Sequence, residues 1–138
     1  MVTTKRLRLQ TRGRTDIINI TSDVQKELTA TGINSGIATI FVAGSTAGVT
    51  TVEYEPALVA DLKNSWQKLV PDNIPYQHDQ TWVDANAYSH VRASLLGGSL
   101  VVPFSNHILA LGTWQQIIII DFDNRPRSRE IILQFLGE

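Results

Sequence analysis

The run from Ile108 to Phe122, ILALGTWQQIIIIDF, constrains the fold more than any other stretch of the chain. It is long, apolar and rich in β-branched residues, with no proline and one glycine, and branched side chains fit a pleated surface better than a helix. Even positions bring Ile108, Ala110, Trp114, Ile118, Ile120 and Phe122, and odd positions bring Leu109, Leu111, Ile117 and Ile119. Side chains alternate across a strand, so a strand here is apolar on both faces and needs a cover on each. One cover is expected from the chain's own helices, the other from a second sheet or a partner subunit. Asp123-Asn124-Arg125-Pro126 reads as a polar turn. Arg127 to Leu136 reads as the returning strand, with Arg127, Arg129, Ile131, Leu133 and Phe135 on one side. The hairpin so formed is expected to centre the core and to present Trp114, Gln115, Arg127 and Arg129 at its far end. Gly112 marks a bulge or a close approach beside Trp114.

The remaining elements follow from period and punctuation. Lys5 to Gln10 alternates Leu7 and Leu9 against Arg6 and Arg8, a half-exposed strand. Asp16 to Ile20 reads as its hairpin partner after a turn at Gly13. Thr21 or Ser22 caps a helix, with Ser22 and Gln25 fitting a capping box, Val24 and Leu28 facing inward and Gly32 ending it. Gly36 to Val42 is a second strand apolar on both faces, leading into the small-residue loop from Ala43 to Gly48 and a strand over Val49 to Val52. Pro56 opens a helix whose Leu58, Leu62, Trp66 and Leu69 repeat at helical spacing. Pro71 to Ala85 is irregular, and a loop of that length in a small domain is functional or packed over something. Asn86 caps a helix to Leu96 with Val91 and Leu95 as its core contacts. Leu100 to Phe104 is a strand, with Pro103 indicating an edge or a bulge. Residues 1–138 therefore read as one α+β domain: a mainly antiparallel, β-sandwich-like sheet with three short helices on one side.

Composition removes several functions. A net charge of −1, with no basic or acidic block, gives no support to nucleic acid or an anionic membrane as partner. The chain has no cysteine, which excludes disulfides, thiolate metal sites and cysteine nucleophiles. Met1 to Gln10 does not read as a signal peptide, and Ile117 to Ile120 is too short to span a bilayer, so a cytoplasmic location is expected. The two-sided apolar strand leaves more surface than short helices cover, so a closed homo-oligomer, a trimer, is expected.

The chemistry-bearing side chains come from separated segments. Backbone N–H groups around Gly44, Ser45 and Thr46 are able to cradle an anion, although a tight turn also needs small residues. Glu53 and Asp61 are candidates for a general base and a metal ligand, or are simply a solvated strand end and a helix flank. His78 and His90 are candidates for proton transfer and for holding a divalent metal, Mg or Zn. Arg127 and Arg129 share a strand face and are placed to clamp a phosphate, or to pair with Asp121 and Asp123. Trp114 reads as core or as a platform for a ligand ring.

The segments GSTAGVTTVEYEP, YQHD, SHVRASLLGGS, LGTWQQI and NRPRSREIILQFLGE, in that order across almost the whole chain, resemble those of the YjbQ-like family, also called the secondary thiamine-phosphate synthase family. The resemblance implies a β-sandwich-like α+β fold, a homotrimer, and a weak transferase activity that joins a pyrimidine pyrophosphate to a thiazole phosphate. It carries functional roles to Glu53, Asp61, His78, His90, Gln115 and the two arginines; Ser45, Thr46 and Trp114 stand beside them as substrate- or phosphate-binding candidates on the residue-level argument alone. Many members have a histidine where this chain has Gly44, and a glycine turn where it has Asn106-His107. A second class stays open, a non-catalytic trimeric protein that binds a metal or an anion.

Overall fold

The computed structural model describes residues Met1 to Glu138. The elements run β1 (Val2–Thr11), β2 (Asp16–Asn19), α1 (Thr21–Thr31), β3 (Gly36–Val42), β4 (Ala47–Val52), α2 (Pro56–Leu69), α3 (Gln77–Thr81), α4 (Ala87–Leu96), β5 (Ser99–Ser105), β6 (Ile108–Leu109), β7 (Gln116–Asp121) and β8 (Arg127–Gly137). The strands form two antiparallel sheets, a larger one in the order β1-β8-β3-β5-β6 and a smaller one in the order β2-β7-β4.

The apolar run keeps its two-sided character only where it forms β7. Ile117 and Ile119 enter the main core with Ile40, Ile131, Leu133 and Phe135 of the larger sheet and Val24 and Leu28 of α1. Ile118, Ile120 and Phe122 face the other way, against Leu62 and Trp66 of α2 and Ala93 of α4. Trp66 meets Phe122 edge to face at 4.8 Å between ring centroids. Both covers of β7 therefore come from within the chain, and Ile117 to Ile120 are completely buried. The surface argument for an oligomer does not rest on this strand.

Several expectations are corrected. Residues 108–122 do not form one strand, because Gly112 to Gln115 turns the chain: Gln115 N donates to Gly112 O, and Gly112 N donates to the Gln115 side-chain oxygen. Trp114 is carried out on that turn, 72% exposed, and is not core. β7 and β8 are not a hairpin, since they belong to different sheets, and neither are β1 and β2. The helices are four, with α3 inside the stretch read as irregular, and they do not share one side. α1 closes the main core, whereas α2 and α4 cover the outer face of the smaller sheet. On α4 the inward residues are Ala87, Tyr88, Ser89, Arg92 and Ala93, so Val91 and Leu95 point to solvent. That face was hidden from a hydrophobicity pattern because it carries a buried arginine. Arg92 donates to Val70 O, Gln67 Oε1 and Thr15 Oγ1 and lies over the Tyr88 ring. Ser22 and Gln25 form no capping box. The Thr21 N–H instead donates to Asn19 Oδ1, and Gln25 bonds to His107 O and Leu109 N. β3 is buried on one face only, with Ile37 and Phe41 exposed on the other.

The chain passes from one sheet to the other six times, and three of these crossings are short corners at one end: between β1 and β2, between β3 and β4, and between β7 and β8. The register places all three corners at one end of the sandwich, where Thr11 lies opposite Arg127 and Asp121 lies opposite both Asp16 and Ala47. Arg14 N donates to Asp123 O and Phe122 N donates to Thr46 O, so the corners are tied to one another. The β5–β6 turn at Asn106 and His107 has φ of 52° and 64°, both left-handed, which explains why glycine suits that position.

Candidate functional site

The corner end is held by buried charge. The Arg129 guanidinium forks onto Asp121, with Nε 2.7 Å from one carboxylate oxygen and Nη2 2.9 Å from the other. Nη2 also donates to Thr46 Oγ1, and that hydroxyl donates to Asp123 Oδ2. Asp121 accepts further bonds from Thr11 Oγ1 and from Asp123 N. Arg127 pairs with Asp123 at 2.8 Å. Burial alone would raise the Asp123 pKa, but hydrogen bonds from Thr46, Asn124 and Arg127 outweigh it and hold the carboxyl below its ordinary range. Thr46, Arg127 and Arg129 are thus engaged in fixing the corner. Their pairing with Asp121 and Asp123 is the alternative weighed for the two arginines from sequence.

Over this corner lies a cleft of about 290 Å³, walled by Gly44, Ser45 and Ala47 on one side and by His90, Ala93 and Ser94 of α4 on the other. The loop passes directly over Arg129 at Gly44. A side chain at Gly44 would put its Cβ 2.7 Å from Arg129 Nη1. The N–H groups of Ser45 and Thr46 donate to no other backbone group, which leaves them able to meet an anion.

His78 and His90 come together, as expected, with ring centroids 4.9 Å apart and the rings edge to face. The pairing has a local cause. Asp79 Oδ1 accepts from Ala87 N, so the carboxylate beside His78 caps the helix that carries His90. Asn86 occupies the expected cap position, but its side chain turns inward to Asp123, and its Oδ1 has no hydrogen-bond partner. Asp79 as a cap was missed, and Asp121 and Asp123, expected as partners of the arginines on an exposed face, are instead fully buried. Ser94 was missed too, although its i+4 spacing from His90 places both on one helix face.

Glu53 and Asp61 do not join the histidines. Glu53 lines a different cavity with Tyr54 and Trp114, and Asp61 is exposed on α2. β4 separates the two places, with five steps from Ala47 to Val52, or roughly 17 Å of extended chain. The hairpin end expected to gather Trp114, Gln115, Arg127 and Arg129 does not exist. The first two sit before β7 and the arginines after it, and Gln115 bonds to Thr51 Oγ1. No group of three or more His, Asp or Glu side chains is placed to hold a metal. The two imidazoles therefore do not complete a divalent-metal centre from the residues of one chain. No helix is long and apolar enough to cross a membrane.

Fold and cleft together define an α+β protein of two antiparallel sheets whose crossover corner is roofed by a histidine-bearing helix pair. Residues 5–138 match the family model described as UPF0047 protein YjbQ-like. The chain is 39% identical over 137 residues to a UPF0047 protein of Methanothermobacter thermautotrophicus, covering 99% of this chain and 94% of that one. It is 34% identical over 134 residues to the UPF0047 protein YugU of Bacillus subtilis, covering 96% and 98%. Among solved structures, a protein of unknown function from Sulfolobus solfataricus P2 superposes with a TM-score of 0.95 at 30% identity, covering 100% of this chain and 99% of that one. A hypothetical protein from Aeropyrum pernix K1 gives 0.92 at 32% identity, covering 99% of each. The chain belongs to the YjbQ-like UPF0047 family.

Proposed function

We propose that the chain binds a small phosphorylated heterocycle in the cleft between the 44–47 loop and α4, and that it slowly joins a pyrimidine pyrophosphate to a thiazole phosphate. The observation that carries this reading is the His78–His90 pair beside the cleft, with Ser45 and Ser94 on its walls. In the condensation the thiazole nitrogen attacks the pyrimidine methylene carbon, the carbon–oxygen bond breaks, and pyrophosphate leaves with the electron pair. Imidazole, hydroxyl and loop N–H donors suit the departing phosphates, and a histidine suits the proton that goes to them. Arg127 and Arg129 contribute little free charge, because Asp123 and Asp121 neutralise them. A slow reaction agrees with that balance. Two imidazoles without a third ligand do not make a metal centre, so no step is assigned to a metal here. The test is thiamine phosphate formation by purified protein, with and without Mg²⁺, beside His90→Ala. Product from the parent and loss of at least about tenfold in the variant, the lower end of a positioned acid–base contribution, is the expected result. Equal rates in both, or no product, overturns the catalytic reading.

The neutralised arginines favour a second reading, a non-catalytic protein that binds an anion in the same cleft; binding without turnover is its signature. In either case we propose a cytoplasmic homotrimer. The surface available for assembly is the outer face of the larger sheet, where Val2, Leu136, Ile37 and Pro103 lie side by side across four strands and Phe41 and Val101 are also exposed. Light scattering that returns a monomer at micromolar concentration refutes the assembly.

A further inference from the structure

The end of the smaller sheet opposite the histidine cleft carries a cavity that the proposed reaction does not use. It has a volume of about 470 Å³, within the range of small-molecule sites, and is lined by Glu53, Tyr54, Glu55, Thr113 and Trp114 among others. Two aromatic residues are held in place at its rim. Tyr54 OH donates to Ile17 O, which fixes the ring. Trp114 rides on the Gly112–Gln115 turn, and Gln115 braces that turn at Gly112 N and at Thr51 Oγ1. An indole 72% exposed on a braced turn has its face free for a ligand. Glu55 is spent on the first turn of α2, accepting from Ala57 N and Leu58 N. Glu53 is exposed and joins none of the chain's ion pairs. No lysine or arginine lines the cavity, so its charge is negative and its aromatic walls are electron-rich.

We propose that this cavity binds a small organic cation, an alkylammonium or other delocalised ammonium group, with Trp114 and Tyr54 against the cation and Glu53 as its counter-charge. The inference is independent of the reaction assigned to the histidine cleft and stands whether or not that reaction occurs.

Choline and its uncharged carbon isostere 3,3-dimethylbutan-1-ol are the probes, titrated into the full chain while the three tryptophan indole N–H resonances are followed by NMR. Trp114→Phe assigns the resonance, and being exposed it leaves the fold intact, which a thermal melt checks. Choline is expected to move the Trp114 resonance and leave that of Trp66, packed on Phe122, in place. The alcohol should need about fivefold or more higher concentration for the same shift, since it lacks the cation–π and ionic attraction. Glu53→Gln should raise the choline midpoint by about two- to fivefold, the range for an exposed ionic pair. Equal midpoints for the two probes, no movement of Trp114, or an unchanged midpoint in Glu53→Gln each overturns the proposal.

Discussion

Asp121 offers the clearest test of how the corner is held. Its carboxylate is completely buried and accepts four hydrogen bonds: two from Arg129, one from Thr11 Oγ1 and one from Asp123 N. Asp121→Asn keeps the shape and removes the charge, so no cavity contributes to its effect. It leaves Arg129, 7% exposed, as a buried guanidinium facing an amide that can accept with only one of its two ends. Breaking a buried pair by removing one partner costs about 3–5 kcal/mol. For 138 residues at ~2.1 cal/mol/K each, the unfolding entropy is about 0.29 kcal/mol/K, which converts that cost into a Tm drop of about 10–17 °C. Glu130→Gln is the control. Glu130 pairs with Arg6 and Arg8 on the exposed face, where such pairs contribute about 0–1 kcal/mol, so its Tm should fall by no more than about 3 °C. Differential scanning calorimetry at neutral pH measures both. The double variant Asp121→Asn/Arg129→Met should recover part of the loss, because the buried guanidinium, left with only Asp123 3.9 Å away, is gone. If Asp121→Asn melts within about 3 °C of the parent, the corner is not held by this pair.

Three further outcomes follow from the same geometry. Asp123, with its folded pKa depressed below the unfolded value, contributes stability that is present above the unfolded pKa, about 3.9, and is lost as pH falls through the lower folded one; Asp123→Asn should therefore lower neutral-pH stability and flatten the acid limb of a stability–pH profile below about pH 4. Asp79→Ala removes the cap on α4 and should cost about 1 kcal/mol in denaturant melts, while the His78 ring resonances move as that ring leaves His90. Gly44→Ala drives a Cβ against Arg129 Nη1 and should destabilise by about 1–3 kcal/mol, whereas Gly98→Ala, whose nearest neighbours would lie at 3.8 Å, should be close to neutral in the same melts.

The strands that alternate or run apolar were legible because burial on a pleated surface imposes a period of two. β1, β3 and β8 lie where that period puts them, and Gly32 ends α1 with a left-handed φ of 72°. What the period does not encode is which strand pairs with which. A polar turn such as Asp123 to Pro126 reads the same whether it closes a hairpin or sends the chain to the other sheet. Here the difference is made by buried charge, since Asp121 and Asp123 face Arg129 and Arg127 across the corner. The same ambiguity misdirected the reading of α4, whose inner face is built on Arg92 and Ser89 and whose apolar Val91 and Leu95 face solvent. In the candidate site, His78 and His90 were grouped by residue type and by the family resemblance, and the link that joins them, an Asp79 carboxylate on a helix start eight residues later, is short enough in sequence to have been read as a cap. Glu53 was grouped with them on the same grounds and Trp114 with Gln115 and the arginines, and the length of β4 keeps Glu53 and Trp114 away from the histidines. Residue type identified the groups with chemistry; strand order decided that they serve two places, one at each end of the smaller sheet.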